Sequence, residues 1–210
     1  MSEGLGDRLP PVTVAGDRGQ GGSYVLRVRV RKDIEIALGG FQGGRRISVP
    51  AGDYSYVGSA LGHRGAAALG SRLTRHATRS GRKPSHSIRA ALAEALRAAG
   101  LCCGDPTPGR GKTLRWHIDY LLDHEAAELV AVIALRSPER LEPAWGGLLE
   151  GDPHTRIVEK GLGASDAPRS THLLRVEAEE GWWAGLPRRL FALQSGKSKC
   201  KVQEALELRK

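Results

Sequence analysis

The run from Ser23 to Val30, SYVLRVRV, sets Tyr24, Leu26, Val28 and Val30 against Val25, Arg27 and Arg29. A period of two is the period of a β-strand, whose successive side chains point to opposite faces. A second run of this kind, DYSYVGS from Asp53 to Ser59, follows the turn residues Pro50, Ala51 and Gly52. The chain is therefore built on a strand pair. Ile34 to Leu38 and Arg46 to Val49 extend or flank these strands, with GGFQGG between them as a hairpin loop.

Beyond Ser59 the period changes. Over Ala66 to Arg79, Leu69, Leu73 and His76 fall at i, i+4 and i+7, the spacing of one helix face. SHSIRAALAEALRAAG predicts a second helix, capped by Ser85 or Ser87 and ended by Gly100. A third is expected over Leu114 to His124. Leu129 to Leu135 reads as a buried strand, and His172 to Val176 as a last one. Between them Trp145, Leu148 and Leu149 mark a short helix with Pro143 at its first position. The fold class is α/β, more closely α+β: a small mixed sheet with a hairpin-connected first strand pair, flanked by helices. That hairpin argues against a doubly wound nucleotide fold. Residues 1–21, with several Gly, Pro and Asp, read as a loose N-terminal arm, 22–178 as the main domain, and 179–210 as a basic C-terminal extension.

Composition narrows the function. With 210 residues, 40% of them hydrophobic, the chain has enough material for a core. No apolar run approaches the roughly 18 residues of a membrane helix, and the N-terminus has no signal-peptide pattern. Cys102 and Cys103 are adjacent and Cys200 lies in the tail, so three free thiols are expected, in the cytoplasm and without a membrane partner. Lysine and arginine number 32 against 23 acidic residues, a formal net charge of +9. Between Asp53 and Glu94 there is no acidic residue, while Arg64, Arg72, Arg75, Arg79, Arg82, Lys83 and Arg89 fall in that interval. A charge run alone is usually a solvated face, but ordinary surfaces intersperse both signs. The expected partner is nucleic acid, DNA before RNA, bound through its phosphates. No coiled coil or dimer seam is visible.

Several familiar motifs fail. Gly111-Lys112-Thr113 ends like a phosphate-binding loop, but its first glycine position is Pro106 and no strand precedes it. Gly161-Leu162-Gly163 opens like a dinucleotide fingerprint whose third glycine position is Asp166. The seven histidines include no HExxH arrangement.

Four ordered blocks survive: PAGDYSYVGSALG (Pro50 to Gly62), RLTRH (Arg72 to His76), LRWHIDYLL (Leu114 to Leu122), and GLGASD followed by THL (Gly161 to Asp166, Thr171 to Leu173). With Tyr24 in the first strand and Glu142 at a helix start, this pattern resembles the GIY-YIG nuclease superfamily. More narrowly it is similar to the Uri-type subgroup, small prokaryotic proteins known mainly as a domain of unknown function. The first motif reads Ser23-Tyr24-Val25 rather than Gly-Ile-Tyr, and Pro143 stands where relatives often have Cys. Residues 78–110 then look like an insertion. The resemblance implies a metal-dependent DNA endonuclease with Tyr24, Tyr56, Arg72 and His76 as catalytic residues. It also implies Glu142 as the ligand of one Mg2+ or Mn2+ ion. A non-catalytic nucleic-acid-binding module on the same fold is the alternative.

The residue types suit that chemistry. Hydrolysis of a phosphodiester needs a positioned water, a cation at the reacting oxygens and relief of charge on the leaving oxygen. A phenol serves as base at neutral pH only if a nearby cation lowers its pKa from about 10; otherwise the metal must supply the hydroxide. Arg72 and His76 share a helix face at i and i+4. Arginine offers phosphate a two-pronged, permanently charged fork. A single carboxylate suits Mg2+, which keeps its waters and takes substrate phosphate as well. The two strand tyrosines also fit a packing role, Glu142 a helix N-terminus, and His117, Asp119, Asp166 and His172 either a structural or a site-facing position.

Overall fold

The computed structural model describes residues 8–101, 112–162 and 172–207, with side chains as far as residue 194. Asp166 and the pair Cys102 and Cys103 lie outside the described residues, as does the Cys200 side chain.

The chain divides into two compact units, one of them Pro10–Glu177. Its strands are β1 (Val12–Gly16), β2 (Gly22–Val30), β3 (Ile34–Ala37), β4 (Arg46–Val49), β5 (Gly52–Ala60), β6 (Ala127–Arg136), β7 (Thr155–Ile157) and β8 (Leu173–Val176). Six of them form a sheet in the order β1-β6-β2-β5-β8-β7, and β3 pairs with β4 in a separate hairpin. All pairings are antiparallel except β1 with β6. The helices are α1 (Leu69–His76), α2 (Arg89–Ala98), α3 (His117–Asp123) and α4 (Glu142–Glu150). The α+β class expected from the sequence is the class observed.

The alternation of β2 places it at the centre of the sheet. Tyr24, Leu26, Val28 and Val30 look to one side, where they join Leu69, Leu73, Leu92, Leu96, Ile118 and Leu121 in the core under α1 to α3. On the other side α4 lies over β5, its N-terminus tied down where the Leu141 amide donates to Ser23 Oγ at 3.1 Å. The antiparallel register sets Leu26 opposite Tyr56 and Tyr24 opposite Gly58, so both tyrosines share the α1 face. At the far end of the pair Arg29 is opposite Asp53. Asp53 accepts from Arg27 Nη2 at 2.6 Å and from Arg29 Nε at 2.8 Å.

Three expectations change. Residues 12–16, read within a loose arm, form the edge strand β1, because their backbone groups are satisfied by parallel pairing with β6. The first helix is shorter than 66–79, since residues 65–67 make a 3-10 turn before α1 begins. Neither Ser85 nor Ser87 caps α2, which starts after Ile88, and the Ser87 amide and hydroxyl both donate to Glu128. Gly100 follows α2 with φ +67°, the left-handed conformation that ends a helix. Within the region read as an insertion, Leu92 and Leu96 of α2 belong to the main core.

The second unit comprises Met1–Leu9 and Ala178–Lys210. Its helix α5 (Glu180–Glu207) runs through most of the C-terminal extension, with Pro187 inside. Trp182 and Trp183 meet edge to face with ring centroids 4.9 Å apart.

Candidate active site

Tyr24, Tyr56, Arg72 and Glu142 line one cavity of about 420 Å³ with Arg115, Trp116 and Arg140. These residues are scattered over more than a hundred positions of chain. The cavity sits at the end of the β2–β5 pair where α1, on one face, and α4, on the other, both come within reach.

Gly58 makes the pairing of the two tyrosine strands possible. It lies opposite Tyr24, and a Cβ added there would sit 2.6 Å from the Tyr24 ring and hydroxyl. Without a side chain, residue 58 lets the phenol of Tyr24 lie flat across the neighbouring strand. The glycine of the Tyr56-Val57-Gly58 motif is a seat for the tyrosine of the other strand.

Tyr24 Oη lies 2.9 Å from Nε2 of His76, and both side chains are buried. Burial pushes the Tyr24 phenol well above its usual pKa; the Arg72 charge offsets part of this and Glu142 adds to it. Tyr56 is raised too, again by burial first. Neither is a phenolate at neutral pH. His76 is pushed down to about 4, chiefly by burial, with Asp119 pulling the other way, so its ring is neutral at pH 7 and keeps a lone pair on one nitrogen.

Arg72 projects from α1 with its guanidinium carbon 3.8 Å from the centroid of the Trp116 ring. The stack fixes the plane of the fork while its charge stays on the cavity wall. Its Nε is buried without a hydrogen-bond partner.

Glu142 is the first residue of α4, with Pro143 second, one position later than expected. Its Oε2 accepts from the Ser59 hydroxyl, and its Oε1 lies 3.0 Å from Nδ1 of His172. His172 Nδ1 is also 2.9 Å from the Val57 carbonyl, so this ring is held by β5 and in turn holds the carboxylate. Burial raises the Glu142 pKa, but the hydrogen bonds from His172 and Ser59 outweigh it and keep the group below the ordinary carboxylate range. Each carboxylate oxygen retains a further acceptor direction. A lone, firmly oriented, ionised carboxylate on a cavity wall fits one Mg2+ or Mn2+ that draws its other ligands from water and phosphate. Among the described residues no group of three or more His, Cys, Asp or Glu forms a cation site by itself.

The acid-free window is less of an open basic face than its sequence suggests. Arg75 pairs with Asp119 at 3.0 Å, Arg79 with Glu128 at 3.0 Å, and Lys83 with Asp123. These three cations are committed to carboxylates of α3 and β6. The arginines that line the cavity are Arg72, Arg115 and Arg140.

A family model described as a domain of unknown function, DUF123, matches residues 23–187. The chain belongs to the DUF123 family. No curated protein and no solved structure matches it. The DUF123 match opens one residue before Tyr24 and takes in every residue that lines the cavity, whereas β1 precedes it.

Four residues near the DUF123 cavity have no site role in the sequence reading. Arg115, Trp116, Arg140 and Ser59 carry no spacing signal, since each is brought in by tertiary packing alone. Asp119 fits either a structural or a site-facing position by sequence. It is fully buried, and its Oδ2 accepts from Arg75 Nη2 at 3.0 Å and from the amides of Arg115 at 3.0 Å and Trp116 at 3.1 Å. His117 is partly buried against Phe41, with ring centroids 5.3 Å apart, and does not line the cavity.

Proposed function

We propose that this protein is a metal-dependent endonuclease that hydrolyses phosphodiester bonds of DNA, with a GIY-YIG-like arrangement of site residues. The observation that carries the reading is the meeting of two phenols, a stacked arginine and one oriented carboxylate around a single cavity. Glu142 would hold one Mg2+ or Mn2+, which supplies charge neutralisation at the phosphate oxygens.

The chain's own residues account for the proton. As the water oxygen bonds to phosphorus, its proton passes to Tyr24 Oη while the Tyr24 proton moves to Nε2 of the neutral His76. The bond from phosphorus to the leaving oxygen breaks, that oxygen takes a proton from solvent, and the imidazolium returns one to solvent. Tyr56 offers a hydroxyl to orient the water, and Arg72 a fork for the non-bridging oxygens. Arg115 and Arg140 hold neighbouring phosphates, which makes binding salt-sensitive and largely independent of sequence. Among the described residues no helix is long and apolar enough to cross a membrane. We assign the activity to the cytoplasm, where its substrate and reduced thiols coexist.

The test is cleavage of supercoiled, linear, branched and single-stranded DNA, with RNA in parallel, by the full chain with Mg2+ or Mn2+. Scission that disappears with chelator, and falls at least 100-fold in Glu142→Gln, is the expected result. Salt-dependent binding without scission on every substrate would replace this reading with that of a non-catalytic binding module.

A further inference from the structure

We propose that Asp119 is a positioning residue that sets the tautomer of His76, making Tyr24, His76 and Asp119 a three-member proton relay. Its kinetic consequence rests on the phosphodiesterase reading above; its structural content does not.

His76 is buried, and its two ring nitrogens meet different neighbours. Nε2 is 2.9 Å from the Tyr24 hydroxyl oxygen. Nδ1 has no hydrogen-bond partner, and neither has Oδ1 of Asp119, yet these two buried atoms face one another at 3.6 Å. Leaving a buried polar atom unpaired costs about 1–3 kcal/mol, so two such atoms in mutual view gain from a shift of about half an ångström that closes the bond. A carboxylate only accepts. The ring proton therefore sits on Nδ1, Nε2 is left with its lone pair, and Tyr24 donates to it. A base aligned by a third, buried group is the logic of nucleophile–histidine–carboxylate sites on many folds.

Capping α3 explains only half of Asp119. The amides of Arg115 and Trp116, together with Arg75, all bind Oδ2. Oδ1 takes no part in the cap and lies 3.6 Å from both His76 Nδ1 and Lys112 Nζ. Burial raises the Asp119 pKa, but the hydrogen-bonding and positively charged groups around it more than compensate, so it is a carboxylate throughout the neutral range. The groups facing His76 are Asp119 of α3, Lys112, Arg72 of α1, and the rings of Tyr24, Tyr56 and Trp116.

The experiment is long-range proton–nitrogen NMR on the full chain labelled with 15N-histidine, the His76 signals being assigned by their loss in His76→Gln. At pH 7, His76 is expected as the Nδ1–H tautomer. In Asp119→Asn, whose amide retains an acceptor for the cap, it is expected to shift toward Nε2–H. The same variant should lose about 10²- to 10⁴-fold in kcat with KM within twofold. An Nε2–H tautomer in the wild-type chain overturns the relay, whether or not the variant folds. So does a loss of kcat in Asp119→Asn with the tautomer unmoved, which would make Asp119 structural only. The expected tautomers in a chain that cleaves nothing would leave the relay standing and remove the phosphodiesterase reading instead.

Discussion

The hydroxyl of Tyr24 and Nε2 of His76 lie 2.9 Å apart although 52 positions of sequence separate them. The contact joins a central strand to the helix that covers it, and it gives a buried phenol somewhere to send its proton. Tyr24→Phe keeps the ring on Gly58 and removes only that transfer. Single-turnover cleavage should fall by about 10²- to 10⁴-fold with DNA affinity unchanged. Urea unfolding should show a loss of about 1–3 kcal/mol, because Nε2 of His76 is left buried and unpaired.

Gly58→Ala tests the seat from the opposite strand. A methyl group at that position meets the Tyr24 ring at 2.6 Å, so either the phenol or the strand must move. The expected cost is about 1–3 kcal/mol, with cleavage lost through displacement of the hydroxyl. In a double-mutant cycle, Tyr24→Ala should abolish most of the penalty of Gly58→Ala. Additive penalties would show that the two residues do not touch.

Two buried histidines set the acid response of the fold. His76 and His86 are each pushed down to about 4, first by burial, and in His86 next by the charge of Arg79. His86 is further held neutral because its Nδ1 accepts from the Leu129 amide at 3.1 Å while Nε2–H faces the Leu122 carbonyl at 3.0 Å. Below about pH 6.5 the unfolded chain takes up protons at these rings that the folded chain refuses. Stability therefore falls as the pH drops from about 6.5 to about 4, by up to roughly 1.4 kcal/mol per pH unit for each ring, and this contribution is flat above 6.5. Urea midpoints measured across that range check the slope, and His86→Gln should reduce it by about half.

Arg115 and Arg140 should act on binding more than on chemistry. Changing either to Gln is expected to lower the slope of log affinity against log salt by about one. Arg75→Gln, which removes a cation already paired with Asp119, should leave that slope unchanged. An effect of Arg75→Gln equal to that of Arg140→Gln would mean that the acid-free window binds phosphate as a whole.

Much of this could be read from the residues in order, because it depends on local period. The strands that carry Tyr24 and Tyr56 showed in their alternation, and the common face of Arg72 and His76 in a one-turn spacing. What stayed hidden depends on partners far along the chain. Val12 to Gly16 is too short and too closely flanked by proline and glycine to read as a strand until β6, more than a hundred positions later, supplies its hydrogen bonds. Arg115 and Arg140 lie outside any regular element, where an arginine carries no periodic mark. Asp119 could not be divided between cap and site on spacing alone, since each of its two oxygens answers a different demand. The basic window misled for a related reason: the acids that neutralise Arg75, Arg79 and Lys83 are on α3 and β6.

Asp53, gripped by Arg27 and Arg29, sits about 17 Å along β2 from Tyr24. A slip of one position between β2 and β5 would turn one strand's phenol to the wrong side of the sheet. The clamp takes no part in the chemistry, yet it fixes where the chemistry is delivered. A change at Asp53 can therefore silence the cavity while leaving every group that lines it intact.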